Sequence, residues 1–322
     1  MELSGARVLV TGASGFIGSH LTRKLLTAGA EVHAVTSVVS SVYPIRLVEL
    51  RDDIRLHEAS LDDRSAMEAT VAAAKPAYIF HLGAYTHVGK SWQRVDECIQ
   101  TNIQGTVNLL QALNGNYERF IYTGTSEIYG DVEVPFRETG PVNPVSPYSV
   151  AKYAGEHYCR LFHQSYGWPI VRVRPFNAYG PAQSPDRVVP EIIGRGLRRQ
   201  ELKMTKGLQT REFHYVEDLA DGFVQVAMTD GIDGELFNLG GGEEVSMRDL
   251  ATRILTLMDS PVEPQFGAMP ERPTEIMRMY CDSTKVRERV GWQPTTSLDE
   301  GLTTTIEWFR DALERSPSSF AP

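Results

Sequence analysis

The sequence contains few cysteines and no long apolar segment. Its three cysteines, Cys98, Cys159 and Cys281, are odd in number and far apart in a chain of 322 residues. This excludes a disulfide framework and a Cys-x-x-Cys metal site. No stretch approaches the roughly 20 apolar residues of a membrane span, and no basic and then apolar leader opens the chain. We therefore predict a protein of the reducing cytoplasm, with no metal and no membrane partner.

The chain also lacks an excess of positive charge. It has 32 lysines and arginines against 41 aspartates and glutamates, a formal net charge of −9, with both signs scattered along it. A nucleic-acid partner is not expected from this charge distribution. A content of 42% hydrophobic and 23% charged residues is ordinary for a globular protein with one enlarged domain or two domains.

Short apolar runs alternate with helical patterns through the first half of the chain. The runs lie at 6–11, 32–35, 78–82, 120–123 and 171–174. This alternation predicts an α/β fold, a Rossmann-like doubly wound parallel sheet covered on both faces. Prolines and glycines become frequent after 174, which indicates a smaller, mixed α/β C-terminal substrate region. Helices are predicted there at 216–228, at 247–258 and after 298, with a strand at 235–239.

A glycine-rich turn follows the first apolar run. Gly12, Gly15 and Gly18 come directly after the first predicted strand and open the first predicted helix. In this setting the backbone can approach a pyrophosphate, whose charge meets the positive end of the helix.

The residues that would identify the dinucleotide are ambiguous. An acidic residue commonly ends the second strand and accepts the adenosine ribose hydroxyls. Here Thr36 and Ser37 stand in that position. Their hydroxyls suit either a ribose hydroxyl or a 2′-phosphate, so both NAD and NADP remain possible.

Tyr148 and Lys152 form a pair that indicates redox chemistry at a carbinol carbon. Residues four apart share one face of a helix, so the Lys152 ammonium can lie beside the Tyr148 phenol. A nearby positive charge favours phenolate, and we expect it to lower the pKa of Tyr148 from its ordinary value of about 10. Tyr148 would then move the proton.

Five motifs together resemble the extended short-chain dehydrogenase/reductases over nearly the full chain. They are Thr11-Gly-Ala-Ser-Gly-Phe-Ile-Gly18, His81-Leu-Gly-Ala84, Thr125-Ser-Glu-Ile-Tyr-Gly130, Tyr148-x-x-x-Lys152 and Arg174-Pro-Phe-Asn-Ala-Tyr-Gly-Pro181. The match looks like the nucleotide-sugar branch, particularly the GDP-mannose type of 4,6-dehydratase, and also the 4-epimerases. The resemblance implies a tightly bound, recycled NAD or NADP, a nucleotide-diphosphate-sugar substrate and a homodimer formed through a helix after Trp92 and the helix of Tyr148.

The resemblance also implies which parts of the chain bind which ligand. Residues 1–173, with 213–233 returning to them, would form the NAD(P)-binding Rossmann domain, and 174–322 would mainly bind the nucleotide sugar. Cofactor contacts are implied for Gly12, Ser14, Gly15, Phe16, Ile17, Gly18, Thr36, Ser37, Leu61, Leu82, Ala84, Thr123, Tyr148, Lys152 and Pro175. Substrate contacts are implied for His87, Lys90, Asn177, Val189, Arg211 and Arg272. The two arginines suit a diphosphate because a guanidinium offers bidentate hydrogen bonds to phosphate oxygens.

Glu127 distinguishes the reactions of this branch. Tyr148 would take the proton of a sugar C4 hydroxyl, Thr125 would hydrogen-bond the same oxygen, and Lys152 would hold the nicotinamide ribose. A carboxylate at Glu127 could then remove the C5 proton of the 4-keto sugar and help to expel the C6 hydroxyl, which is 4,6-dehydration. Ser126, which precedes it as in the mannose-type enzymes, is not a strong acid. Water or Glu127 would therefore have to protonate the departing hydroxide.

Other functions stay open from the sequence. A 4-epimerase, a decarboxylase of a glucuronate nucleotide and a reductase of 4-keto sugars can all use the pair of Tyr148 and Lys152. Glu127 could instead be a structural carboxylate that caps a backbone amide. A non-catalytic nucleotide sensor would keep the fold and bind cofactor as a regulator. We predict the 4,6-dehydratase because Glu127 stands beside Thr125 in a chain that also has the Tyr–Lys pair.

Overall fold

The computed structural model describes residues 3–37, 45–271 and 274–315. Its strands are β1 (Arg7–Thr11), β2 (Glu31–Thr36), β3 (Ile54–Glu58), β4 (Tyr78–His81), β5 (Arg119–Thr123), β6 (Ile170–Pro175), β7 (Asn177–Tyr179), β8 (Leu202–Met204), β9 (Thr210–Arg211), β10 (Phe213–Tyr215), β11 (Leu236–Leu239), β12 (Val245–Ser246) and β13 (Pro264–Phe266). Its α-helices are α1 (Phe16–Thr27), α2 (Arg64–Ala74), α3 (Val95–Glu97), α4 (Gly105–Leu113), α5 (Pro147–Tyr166), α6 (Val188–Leu197), α7 (Val216–Met228), α8 (Met247–Leu257), α9 (Thr284–Val290) and α10 (Leu298–Arg315).

A seven-stranded sheet organises the molecule. Its order is β11-β6-β5-β4-β1-β2-β3, and every neighbouring pair runs parallel. The chain builds outward from β1 to β3 and then returns to place β4 on the other side of β1. This reversal opens a crevice at the carboxyl ends of β1 and β4, where doubly wound sheets bind their ligands. The predicted Rossmann-like α/β fold is confirmed.

Helices cover both faces of the sheet. One face packs against α1 and α7, and the other against α2, α4 and α5. The helix predicted at 216–228 is α7. Strand β11 lies in the part of the chain that the sequence assigned to the substrate region. It nevertheless pairs with β6 at the edge of the sheet, and all four of its side chains are buried.

A second apolar core lies among α6, α8 and α10. Three two-stranded sheets surround it, pairing β7 with β10, β8 with β13 and β9 with β12. Near the first core, a π-helical turn at Cys98–Gln104 links α3 to α4 and packs against α5. Within the ranges given above, no helix has the length and apolar character needed to cross a membrane.

Candidate active site

The glycine loop after β1 is shaped to admit a phosphate. Gly12 has a φ of +69°, and a Cβ on it would lie 2.7 Å from the backbone nitrogen of Gly83. A Cβ on Gly18 would lie 2.1 Å from the Gly12 carbonyl oxygen. Helix α1 then begins at Phe16 with no side-chain cap and no acidic residue in its first turn. An uncapped, positively polarised helix end behind glycines fits the pyrophosphate of a dinucleotide.

The other residues predicted to contact the cofactor lie along the same edge of the sheet. Ser14 Oγ and Thr36 Oγ1 are 3.0 Å apart, which joins the glycine loop to the end of β2, and Ser37 beyond them is exposed. The remaining positions follow the ends of strands or flank the glycine loop: Gly15, Ile17, Leu61, Leu82, Ala84, Thr123 and Pro175. The buried hydroxyl of Thr123 has no hydrogen-bond partner in the part of the chain that the structure describes. A buried polar atom of this kind fits a site that a polar ligand completes.

A buried polar network that the sequence reasoning missed supports the loop after β4. His81 Nδ1 lies 2.8 Å from Thr11 Oγ1, and His81 Nε2 lies 3.0 Å from Thr106 Oγ1. Burial lowers the pKa of His81 to about 3, so the ring is neutral. The Asn102 side-chain oxygen accepts from the Tyr85 N–H at 2.8 Å, and its amide nitrogen donates to the Tyr85 carbonyl oxygen at 3.1 Å. These bonds hold the 82–85 loop that would face the nicotinamide.

Tyr148 and Thr125 lie close to each other beside the crevice at the carboxyl ends of the strands. The Thr125 side chain is close enough to the phenol of Tyr148 to affect its ionisation, and Tyr148 is 8% exposed. Burial raises the pKa of Tyr148 to about 12, the Thr125 side chain opposes this, and the charge of Glu127 raises it further. The half-buried carboxylate of Glu127 is thus near enough to Tyr148 to affect its ionisation. The structure brings together the alcohol-binding pair and the proposed C5 base.

Lys152 lies on the next turn of α5, and the pKa of Tyr148 beside it differs from the prediction. Its ammonium lies 4.6 Å from the centre of the Tyr122 ring, and burial lowers the pKa of Lys152 to about 8. The expectation that Lys152 lowers the pKa of Tyr148 below its ordinary value is wrong for this structure, because burial of the phenol dominates. Lys152 remains within the crevice, 3% exposed, where the prediction that it holds a ribose is untested.

Helix α5 is positioned by local signals and by close packing. Ser146 and Ser149 form a capping box at its start, with Pro147 as the first helical residue. Gly155 then lets the helix approach its neighbours, since a Cβ there would lie 2.5 Å from the Tyr122 hydroxyl and 2.8 Å from the Asn102 carbonyl oxygen. These features place Tyr148 at the mouth of the crevice.

Ser126 and Asn177 face one another across Met279. The Ser126 hydroxyl donates to Met279 Sδ at 3.5 Å and is buried. The Asn177 amide donates to the Glu212 carbonyl oxygen at 3.1 Å and lies 3.9 Å from the same sulfur. The roles predicted for them, beside the reacting sugar and at a phosphate oxygen, stay predictions.

Arg211 already has three hydrogen-bond partners within the protein. Its guanidinium donates to Glu275 at 2.5 Å and to the carbonyl oxygens of Thr210 and Ile276, each at 2.7 Å. A diphosphate would therefore have to compete with Glu275 for this arginine. Arg272, the other predicted diphosphate ligand, lies outside the described residues. Val189 is buried in the first turn of α6.

The predicted hexose loop meets the start of α6. His87 Nε2 lies 3.7 Å from Asp186 Oδ2, and Lys90 is exposed on the same loop. Arg187, which the sequence reasoning did not single out, donates to Thr86 Oγ1 at 3.4 Å. Burial lowers the pKa of His87, and the charges of Arg187 and Lys90 lower it further, so the three basic groups lie close together. The Arg187 charge also lowers the pKa of Tyr148, although burial prevails there.

Comparisons with known proteins agree with this geometry. The family model described as GDP-mannose 4,6 dehydratase matches residues 9–305. The chain belongs to this family. The predicted resemblance to the extended short-chain dehydrogenase/reductases of the nucleotide-sugar branch is thereby confirmed.

Relatives within the family carry two different activities in their names. A probable dTDP-glucose 4,6-dehydratase of Sinorhizobium fredii is 32% identical, with 94% of this chain and 92% of the relative covered. The UDP-glucose 4-epimerase of Thermotoga maritima, solved with UDP-glucose, is 33% identical at a TM-score of 0.89, with 95% of this chain and 99% of that one covered. The dTDP-glucose 4,6-dehydratase DesIV of Streptomyces venezuelae, solved with NAD bound, is 28% identical at a TM-score of 0.87, covering 97% and 99%.

Proposed function

We propose that the protein is a nucleotide-diphosphate-sugar 4,6-dehydratase. It would oxidise the sugar at C4, remove water across C5 and C6, and return the hydride to C6 to give a 4-keto-6-deoxy sugar. The observation that carries this proposal is Glu127, a half-buried carboxylate close enough to Tyr148 to affect its pKa, as the Thr125 side chain also is. Relatives named as 4,6-dehydratases support it.

The chain's own residues would divide the proton transfers among them. Tyr148, steered by Thr125, takes the proton of the C4 hydroxyl. Glu127 then removes the C5 proton, which the new C4 ketone has made acidic, and the C6 hydroxyl leaves with a proton from water or from Glu127. Bound NAD would accept the hydride from C4 and give it back at C6, and C5 would then take up a proton from water, so the cofactor is regenerated within each turnover. No step needs a second reductant, so oxidation and reduction balance within one sugar.

NAD is the dinucleotide that we propose. Solved neighbours contain it, among them DesIV. The hydroxyls of Ser14 and Thr36 bond to each other at the end of β2, where they suit a neutral ribose. Arg46, the first basic residue after β2 in the sequence, directs its donors to Ser14, Ala182 and Ser184 and so has few left for a 2′-phosphate.

Mass spectrometry of incubated nucleotide sugars tests the reaction. The protein should convert one member of a panel of GDP-, UDP-, dTDP- and CDP-hexoses to a product lighter by one water, without net consumption of added NAD. A product of unchanged mass would replace the dehydratase with an epimerase. Stoichiometric oxidation of a reduced cofactor would replace it with a reductase, and binding with no turnover would indicate a sensor.

One arrangement favours a second candidate, a decarboxylase of nucleotide-linked glucuronate. Arg187, His87 and Lys90 lie close together, and the charge of Arg187 reaches Tyr148, so Arg187 could pair with a carboxylate at C6 of the sugar. Oxidation at C4 would create a ketone in the β position to that carboxylate, which could then be lost as carbon dioxide. Adding UDP-glucuronate to the panel distinguishes the two, since the decarboxylase releases carbon dioxide and the dehydratase leaves this sugar unchanged.

We also propose a homodimer in the cytoplasm. Large apolar side chains are exposed on the neighbouring outer faces of 92–99 and α5, namely Trp92, Val95, Ile99, Val150, Tyr158 and Leu161. Such a continuous apolar surface on two packed elements fits a self-complementary interface. The three cysteines are free and buried, which suits a reducing compartment.

A further inference from the structure

The segment 181–187 runs from the neighbourhood of the glycine loop to the loop after β4 and is hydrogen-bonded at both ends. At one end, Pro181 and Ala182 lie near the glycine loop and α1. At the other end, Arg187 bonds to Thr86 and Asp186 lies 3.7 Å from His87, both on the loop after β4. The glycine loop and the loop after β4 follow adjacent strands, β1 and β4, at the edge where the dinucleotide would lie. We call residues 181–187 the strap.

Arg46 makes the connection between the strap and the phosphate loop. Its Nη1 donates to the carbonyl oxygen of Ser14 at 3.2 Å, inside the glycine loop. Its Nε donates to the carbonyl oxygen of Ala182 at 2.9 Å, and its Nη2 donates to Ser184 Oγ at 3.1 Å. One planar guanidinium thus bridges the loop that would hold the pyrophosphate and the strap that faces it. A lysine could not reproduce this three-way geometry.

Two features indicate that this bridge is more than a surface contact. Arg46 is half-buried, and burial lowers its pKa. Burial alone accounts for this shift, and no carboxylate in the described ranges contributes to it. Ala182 also has a φ of +62°, a left-handed conformation that is unfavourable for a non-glycine residue. The strap is therefore held in a conformation that needs external hydrogen bonds.

His20 adds a second fastening beside Arg46. From α1, its Nε2 lies 3.0 Å from the carbonyl oxygen of Pro181, and its Nδ1 contacts Glu217 at the start of α7. The proximal end of the strap is thus attached to the loop and to the helix that would carry the pyrophosphate.

We propose that Arg46 is a positioning residue that locks the strap over the bound dinucleotide and so retains it from one turnover to the next. This inference rests on the proposed function, in which the cofactor is recycled within the site. It assigns to Arg46 a role in the rate of cofactor release and none in the proton transfers. Arg46 contacts the end of the strap opposite to the end that bonds to the hexose loop, so we assign it no contact with the nucleotide sugar.

The rate of cofactor release tests the proposal. Wild type, Arg46→Gln and Ser184→Ala would each be loaded with NAD and passed over a desalting column, and the NAD remaining would be followed with time by mass spectrometry. We expect Arg46→Gln to release NAD at least tenfold faster than wild type, and Ser184→Ala to lie between them. Arg64→Gln is the matched control, because Arg64 is exposed and its ion pair is with Glu68, on the same helix α2. Thermal unfolding of each variant identifies a fold defect.

The outcomes separate this inference from the proposed reaction. Release from Arg46→Gln at the rate of Arg64→Gln overturns the lock, as does a wild type that loses NAD within the time of the column. If Arg46→Gln does not fold, an unchanged release rate in Ser184→Ala overturns it. A protein that retains NAD through Arg46 but dehydrates no sugar would contradict the proposed function and leave the lock standing. Turnover by Arg46→Gln should recover when excess NAD is added, with the KM for the nucleotide sugar unchanged.

Discussion

Glu127 is the residue on which the type of reaction depends. If it removes the C5 proton, Glu127→Gln should lower the rate of water loss by about 10²- to 10⁴-fold, the usual contribution of a general base. Binding of the nucleotide sugar should be little changed, since glutamine has nearly the same shape. The measurement is the rate of product formation in D2O, together with deuterium incorporation at C5, which should vanish with the variant.

Glu133 provides the control for that experiment. It is an exposed carboxylate a few residues further along the chain, so Glu133→Gln should retain full turnover and C5 exchange. Undiminished dehydration in Glu127→Gln would assign Glu127 a structural role. It would also remove the main support for a dehydratase over an epimerase.

Lys152 carries a cost in stability that is tied to its function. Burial lowers its pKa to about 8 from an ordinary value of 10.5. Between these pH values the unfolded chain binds more protons than the folded one, so this group makes stability rise with pH across that window. Below pH 8 the full penalty of burying the charge applies. The buried charge of Lys152 therefore lowers the free energy of unfolding in this pH range.

Lys152→Met should then be inactive yet more resistant to urea at pH 7. The gain is at most about 3 kcal/mol at roughly 1.4 kcal/mol per pKa unit, and loss of the contact with Tyr122 reduces it. The gain should shrink as the pH rises from 8 towards 10.5. Urea unfolding at several pH values measures this, with Lys203→Met, at an exposed lysine, as the control. A variant that is equally destabilised at every pH would show that Lys152 stabilises the fold.

At the scale of elements, α5 depends on a close approach that no local pattern reveals. Gly155→Ala would direct a methyl group at the Tyr122 hydroxyl and the Asn102 carbonyl oxygen, both within 3 Å of the new atom. We expect a loss of about 1–3 kcal/mol from overpacking, and lower turnover because Tyr148 and Lys152 move with the helix. Urea unfolding and kcat measure the two effects.

The comparison for Gly155→Ala is a second helical glycine. Gly194 lies within α6, and a Cβ there would meet only the end of the Arg198 side chain, at 3.4 Å. Both substitutions improve helix propensity by up to about 1 kcal/mol. Gly194→Ala should therefore be neutral or stabilising, and equal stability of the two variants would contradict the packing argument.

The elements that sequence patterns predicted are those with local causes. The glycine loop, α5 with its Ser146–Pro147 start, and α7 each have a periodicity or a cap that one segment contains. Arg46 and Arg187 gave no such signal, because their partners Ser14, Ala182 and Thr86 lie 32, 136 and 101 residues away. The pKa of Tyr148 was predicted in the wrong direction for a related reason. Spacing shows a neighbouring charge but not the burial of the phenol.

At the scale of the molecule, the exposed apolar surface of 92–99 and α5 determines the expected assembly. In a two-fold dimer each side chain of this surface is buried twice, once in each subunit. Burying one leucine or isoleucine contributes about 1.5–3 kcal/mol, and placing a carboxylate there adds the cost of burying a charge. One substitution therefore acts doubly on the association constant.

Leu161→Glu and Ile99→Glu should each convert the proposed dimer to a monomer at micromolar concentration, with the fold intact by circular dichroism. Leu161 is 48% exposed on α5 and Ile99 is 48% exposed on the π-helical turn, so neither supports the core of its own subunit. Leu257→Glu, at a leucine 40% exposed on α8, should leave the assembly unchanged. Sedimentation velocity over a range of concentrations measures all three. A monomeric wild type, or variants that stay dimeric like Leu257→Glu, would show that this apolar surface does not join two copies of the chain.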